Sequence, residues 1–378
     1  MNGYAELGSP RGTIYVRKAS KPRLEVVDAL VFDCDGVLID IRESYGRCVA
    51  AQTATLVEAL TGAAFDPTEI DDDVIYAYKS LGGFNNDWDL VYTLTLLITR
   101  SLPEETQSLA EKISTKSTKI TNPAERLKYI STQPKPPKTI TDFKQLLIGE
   151  SGKLDSAGTR STDRLLGSTL AETRKALAYP KPVGESIIAT QFEEMFSGPK
   201  LYTETWGLKP IFDTKSEPYV NREKVEVKQE TFDALATIIG GKKFGIASGS
   251  AENTAKHVLG KVADNLTPQA EVWYETVEKA SRETGKPLGK PNPYSLQRSA
   301  STLEPFKTVL YVGDGISDML TSKNAMRIDD RNAFAGVYAL NTPSEASKIR
   351  FLQDGADIVA PTVNELPTAL TWAKKAQK

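Results

Sequence analysis

In the stretch Asp28-Ala-Leu-Val-Phe-Asp-Cys-Asp-Gly-Val-Leu-Ile-Asp40, four apolar residues run without a break into a carboxylate, a cysteine, a second carboxylate and a glycine. An apolar run without alternation fits a strand buried on both faces of a parallel sheet. Two more runs stop in the same way: Lys243-Phe-Gly-Ile-Ala247 ends at Ser248, and Thr308-Val-Leu-Tyr-Val312 ends at Gly313-Asp314. Residues 336–340 and 356–360 are further strand candidates, with helical patterns such as 251–259 and 317–324 between them. Strand and helix in alternation predict an α/β fold with a doubly wound parallel sheet. Ligands of such sheets gather at the carboxyl ends of the strands. Asp33, Ser248 and Asp314 all stand at such ends.

Between the first and second of these strands the pattern changes. Residues 45–60, 90–102, 161–177 and 185–196 carry helical periodicity, with Leu90, Leu94, Leu97 and Ile98 on one face. The expected organisation is an N-terminal extension (1–25), a core (26–42 and 229–378) and a large, mainly helical insert (43–228). Within the insert, residues 113–144 are rich in Lys, Thr, Ser and Pro and read as an irregular, solvated basic loop. A short strand at 13–17 has no evident place.

Composition removes several classes of function. The 47 basic residues against 49 acidic ones leave a formal net charge of −2, which gives no reason to expect nucleic acid or an anionic membrane as partner. The only cysteines, Cys34 and Cys48, read as reduced, partly buried thiols rather than a disulfide scaffold. The N-terminus lacks the apolar core of a signal peptide, and the longest apolar run, 90–99, is about half of the ~20 residues that span a bilayer. A soluble cytoplasmic protein is expected. His257 is the only histidine, so a site of several imidazoles is ruled out. Hydrolytic chemistry must run on carboxylates, hydroxyls or lysines.

The strand ends offer those groups. Asp33 can act as a nucleophile toward phosphorus, and Asp35, two residues on, is placed for general acid/base work. Gly36 lets the chain turn sharply beside a ligand. Oxygen-rich sites select magnesium, and Asp314 with Asp318 can complete such a shell. Ser248 and the Gly249 amide, at a strand-to-helix turn, can donate to a phosphoryl oxygen. Lys290 in Gly289-Lys-Pro-Asn-Pro293 supplies a fixed cation. Two glycine-rich stretches are not phosphate loops: 149–154 lacks the Ser/Thr of a P-loop, and 313–315 lacks a third glycine.

Taken in order, DCDGVLID (33–40), ASGS (247–250), GKPNP (289–293) and GDGISD (313–318) resemble the four motifs of the haloacid dehalogenase superfamily. The resemblance covers roughly 26–42 and 230–378, and the helical insert sits where members with a helical cap carry it. The stretches 43–47 and 79–88 look like a subgroup related to phosphoglycolate phosphatases. The resemblance implies Asp33 as nucleophile, Asp35 as acid/base, Ser248 as phosphate ligand and Lys290 as stabiliser of the intermediate. It implies Mg²⁺ held by the Asp33 side chain, the Asp35 carbonyl and Asp314, with Asp318 supporting its water shell. Having Asp35 argues against dehalogenation. The expected activity is magnesium-dependent hydrolysis of a small phosphorylated metabolite through an aspartyl-phosphate. A phosphomutase, a phosphonate hydrolase using Lys79, and a non-catalytic binding module are the alternatives.

Substrate contacts are expected from Gly249 and Ser250 in the second motif. Lys79, Asn85 and Asn86 are candidates in the insert, and Arg42 lies just after the first motif. The second reading of Asn86 is a helix cap, with Trp88 in the core.

Overall fold

The computed structural model describes residues 3–84, 86–212, 216–341 and 343–375. The chain divides into two units, one formed by Met1–Arg42 and Glu223–Lys378, the other by Glu43–Arg222.

The first unit is built on an eight-stranded sheet. Its strands are β1 (Tyr4–Ser9), β2 (Gly12–Arg17), β3 (Val27–Phe32), β4 (Phe244–Ala247), β5 (Glu271–Val272), β6 (Thr308–Gly313), β7 (Asn332–Val337) and β8 (Ile358–Ala360). Their spatial order is β1-β2-β8-β7-β6-β3-β4-β5. From β8 to β5 every neighbouring pair is parallel. The strand period of two explains the apolar runs. Leu30 and Phe32 face a layer containing Leu235, Leu366 and Leu370, while Ala29 and Val31 face one containing Leu296, Met319 and Phe351. Both faces are covered by helices, so the interior of these strands is apolar, and polar residues such as Asp28, Thr308 and Asn332 stand at or next to strand starts. Phe32 is fully buried against Phe232 and Phe244 at ring separations of 5.8 and 6.0 Å. Truncating it to alanine would cost about 3–5 kcal/mol.

The N-terminal residues are part of this sheet, which corrects the reading of 1–25 as an extension. β1 and β2 form an antiparallel pair, and β2 runs antiparallel to β8. Ile14 and Val16 are fully buried in one layer, and the Tyr4 hydroxyl donates to the Ala356 carbonyl at 2.9 Å. The chain leaves the unit after Ile39–Asp40 and returns at Lys224–Val225, and these two segments pair antiparallel. That pairing draws residues 223–228 into the core unit.

The second unit is mainly helical. Its longest helices are Tyr45–Thr61, Asp87–Ser101, Glu104–Ser117 and Ile187–Trp206. Residues 113–144 are not the irregular loop expected from their composition. They carry the end of Glu104–Ser117, the helix Pro123–Thr132 and a two-residue strand, Lys138–Thr139. Asn122 caps the second helix, and Leu127 and Ile130 are buried. The buried Arg126 donates to the carbonyls of Ile120 (2.7 Å) and Ala176 (3.0 Å), which holds the segment down. The expected helix 161–177 is two helices, Thr159–Leu166 and Ala171–Leu177. Gly167 ends the first at φ 57° and Leu170 starts the second at φ 55°, both outside helical space.

Candidate active site

β3 ends at Phe32, and Asp33 continues its line, with its amide donating to the Val312 carbonyl at 2.8 Å. Beyond it the chain folds back: the Leu38 and Ile39 amides donate to the Cys34 carbonyl, and the Gly36 amide to the Ile39 carbonyl. Gly36 has φ 72°, and a Cβ there would lie 2.1 Å from Asp314 Oδ2. Only glycine allows both the turn and the approach of Asp314.

The Asp33 carboxylate accepts from the Cys34 amide at 2.8 Å and lies 2.9 Å from Lys290 Nζ. Lys290 comes from the loop before the helix Tyr294–Thr302, which Asn324 ties to the helix Ile316–Met326 through the Pro291 carbonyl. The same ammonium lies 2.6 Å from Asp318 Oδ1, and its side chain is only 5% exposed. Burial pushes the Asp33 carboxyl up to about 7, with Lys290 opposing and Asp318 and Asp35 adding to the rise. Burial works against the Lys290 charge, but Asp318 and Asp33 outweigh it and hold the ammonium above the ordinary lysine range. Lys290 therefore stays a cation between two buried carboxylates. The Cys34 thiol is pushed well up by burial, then by Asp35 and Asp33, so it is no competing nucleophile.

Asp318 is fully engaged. Its Oδ1 also accepts from the Tyr311 hydroxyl at 2.7 Å, and its Oδ2 from the Gly315 amide at 2.9 Å. Asp314 follows Gly313, where a Cβ would come within 2.3 Å of the Asp318 Cβ. Oxygens of Asp33, Asp314 and Asp318 lie within 4.8 Å of one another, a donor set of hard carboxylates that fits a divalent cation. The space in front of Gly36, which any Cβ would fill, belongs to the same cradle.

On the other side of β3, Ser248 follows β4, Gly249 occupies the turn, and Ser250 precedes the helix Glu252–Leu259. Ser248 and Ser250 are both buried, with their hydroxyls 2.9 Å apart. The Ser250 hydroxyl donates to Asp35 Oδ2 at 2.6 Å. Asp33, Asp35, Ser248, Ser250, Lys290, Asp314 and Asp318 thus form one continuous cluster.

The remaining candidates are held otherwise. Arg42 is bound through Nε (2.9 Å) and Nη2 (2.6 Å) to Asp40, whose carboxyl it draws below the usual range. Lys79 ends the helix Asp72–Lys79 and lies 3.0 Å from Asp87 Oδ1. Asn86 accepts from the Trp88 amide at 2.9 Å through its side-chain oxygen and so caps the helix Asp87–Ser101, the second of its two readings. Trp88 is in the core of its unit and donates to Glu193 at 3.1 Å, as Trp206 does at 3.2 Å. Asn85 lies outside the described residues.

Two contributors were missed from the sequence. Tyr311 holds Asp318, and burial followed by Asp318 keeps its hydroxyl protonated as a donor. Its signal was available: a phenol in the middle of a strand buried on both faces needs a partner. Asn341 donates to the Asp314 carbonyl at 2.7 Å, and nothing in its surrounding sequence points to that.

Among the described residues no helix is long and apolar enough to cross a membrane. No curated protein sequence matches the chain. An X-ray structure solved by a structural genomics consortium matches with a TM-score of 0.58 and 19% identity, over 91% of this chain and 98% of that one. A phosphatase from Thermococcus thioreducens matches at TM-score 0.42 and 17% identity, over 82% of this chain and 92% of that one. Residues 27–325, which run from the first residue of β3 past Asp318, match the haloacid dehalogenase-like hydrolases. The chain belongs to the haloacid dehalogenase-like hydrolase family.

Proposed function

We propose that the protein is a magnesium-dependent phosphatase that transfers the phosphoryl group of a small phosphorylated metabolite to Asp33. The carrying observation is the placement of Asp33 against Lys290 at 2.9 Å, with Asp35 bonded to the serine loop two residues on. Nucleophile, cation and acid/base are thereby gathered at the end of β3.

In this reading an Asp33 oxygen attacks phosphorus, the bond to the leaving oxygen breaks, and Asp35 gives that oxygen its proton. The Gly249 amide binds a phosphoryl oxygen, and Ser248 does so once its hydroxyl proton turns from Ser250 to the phosphate, while Lys290 balances the charge on Asp33 and on the pentavalent centre. Asp35, now a carboxylate, takes a proton from the water that attacks the aspartyl-phosphate, which restores Asp33 and releases inorganic phosphate. Asp33, Asp314 and the Asp35 carbonyl would hold Mg²⁺, which would offset repulsion between the carboxylates and the phosphate. Asp318, already bonded to Lys290, Tyr311 and Gly315, would support the water shell of that ion. The inserted unit is the natural place for leaving-group selection. Two free, buried cysteines suit a reducing compartment such as the cytoplasm.

Asp33→Asn should abolish release of phosphate from an aryl phosphate, and Asp35→Asn should lower it by about 10²–10⁴-fold. EDTA should silence the wild type and added Mg²⁺ restore it. An Asp33→Asn enzyme with most of its activity intact overturns this mechanism.

A further inference from the structure

Ser250 occupies a position that phosphate binding alone does not explain. Its hydroxyl lies between the Ser248 hydroxyl at 2.9 Å and Asp35 Oδ2 at 2.6 Å, and it donates to the latter. A hydroxyl has one proton, so the one given to Asp35 is not at the same time given to a phosphoryl oxygen. The bond is short, and the donor is buried at 6% exposure. Such a contact to a carboxylate is stronger than a neutral one and fixes the plane of the carboxyl group.

The backbone at Ser250 is anchored without its side chain. Its amide donates to Ser248 Oγ at 3.2 Å, and its carbonyl accepts from the Tyr274 amide at 3.1 Å. The Ser248 amide is bonded to the Val272 carbonyl at 3.0 Å. The loop shape therefore does not depend on the Ser250 hydroxyl, which leaves Asp35 as the group it serves.

We propose that Ser250 is a positioning residue for Asp35, whose hydroxyl holds Oδ2 so that the carboxyl meets the leaving oxygen in one fixed orientation. The inference rests on the phosphatase reading above. Ser250 itself neither gains nor loses a proton over the reaction. The proton moves from Asp35 to the leaving oxygen as the phosphorus–oxygen bond to that oxygen breaks and the bond to Asp33 forms. A leaving group that needs a proton should depend on Ser250, and one that departs readily as an anion should not.

The test compares kcat/KM, which reports steps up to departure of the leaving group, for two substrates with Mg²⁺. One is 2,4-dinitrophenyl phosphate and the other the best alkyl phosphate from a panel. Ser250→Ala should lower the alkyl value by about 10- to 100-fold, part of the worth of a placed general acid, and the dinitrophenyl value by less than about threefold. In an Asp35→Asn background the Ser250 substitution should add no further loss on the alkyl substrate, a result that a general disturbance of the loop does not produce. Equal losses on both substrates, or an alkyl value unchanged or raised by Ser250→Ala, overturn the positioning role while leaving the phosphatase intact. A wild type inert toward both substrates overturns the phosphatase reading and this inference with it.

Discussion

Replacing Lys290 with methionine should show how much of the core depends on one ammonium. The side chains involved are nearly closed to water: Lys290 is 5% exposed, Asp318 2% and Asp33 11%. Methionine keeps most of the stem volume, so the change is chiefly electrostatic. Removing one partner of a buried ion pair typically costs about 3–5 kcal/mol, because the other charge is left uncompensated. Two carboxylates lose their cation here, while Asp318 keeps the Tyr311 hydroxyl and the Gly315 amide. The expected loss near pH 8 is about 3–5 kcal/mol, a large part of the 5–15 kcal/mol that holds an ordinary domain. The pH dependence has a definite sign. Without the ammonium, folding raises the Asp33 carboxyl further above its ordinary value, so below that raised value the folded state binds more protons than the unfolded one. The deficit is then fully expressed above the raised value and shrinks as pH falls toward the ordinary carboxylate range. Urea unfolding of wild type and Lys290→Met at pH 8 and pH 5, with and without Mg²⁺, measures this directly. The gap should narrow at pH 5 and on adding the ion, which by the proposed mechanism would occupy the same acidic cluster. A loss below about 1 kcal/mol at pH 8, or one that grows on acidification, refutes the reasoning.

Gly36→Ala should lower activity by about 10²-fold or more, since its Cβ would overlap Asp314 Oδ2 and displace it by an ångström or so. The cost in stability should be only about 1–2 kcal/mol for the left-handed backbone, readable by urea melts beside activity. Asp89, pushed up to about 6 by burial although Tyr179 donates to it at 2.5 Å, weakens its unit once ionised. Stability should therefore fall as pH rises from about 4 to about 6, and Asp89→Asn should be the more stable protein at pH 8 by about 1–2 kcal/mol, with the difference gone below pH 4. Asn86→Ala should cost about 1 kcal/mol of stability through the lost helix cap and leave kcat/KM for an aryl phosphate unchanged.

The sheet was legible because a strand covered on both faces stays apolar from just after its start until it ends. Its centre, β3, β4 and β6, was placed within a residue or two. β7 was read at 336–340 instead of 332–337, because Asn332-Ala-Phe-Ala-Gly-Val337 continues into Tyr338-Ala-Leu340 and periodicity cannot mark the boundary in one unbroken apolar run. The N-terminal hairpin was legible only in part: 13–17 reads as a strand and is β2, but its place was hidden because β2 pairs with β8, more than 300 residues away, and nothing local reports that partner. Composition misled at 113–144, where a polar surface conceals a helix anchored by Leu127, Ile130 and a guanidinium turned inward onto carbonyls.

The same contrast explains which site residues could be found. At the ends of β3 and β4 the Asp33 and Ser248 amides are already bonded to carbonyls of neighbouring strands, so an acidic or hydroxyl side chain there, although each accepts one nearby amide, stands out as chemistry. In the helical unit the polar residues have such duties. A helix start leaves backbone donors without partners, and Asn86 meets one of them at Trp88. Lys79, at the end of one helix, meets Asp87 in the first turn of the next, a pairing that also suits both helix dipoles. Glu193 is fixed by two indole N–H groups from Trp88 and Trp206. A polar residue in a helical insert is thus informative about substrate only after capping, dipole and buried-donor needs have been met. By that criterion Ser250 is the better place to look for control of the reaction than any of the lysines or asparagines of the insert, since its backbone is secured elsewhere and its hydroxyl reaches a carboxyl at the reacting end of the sheet.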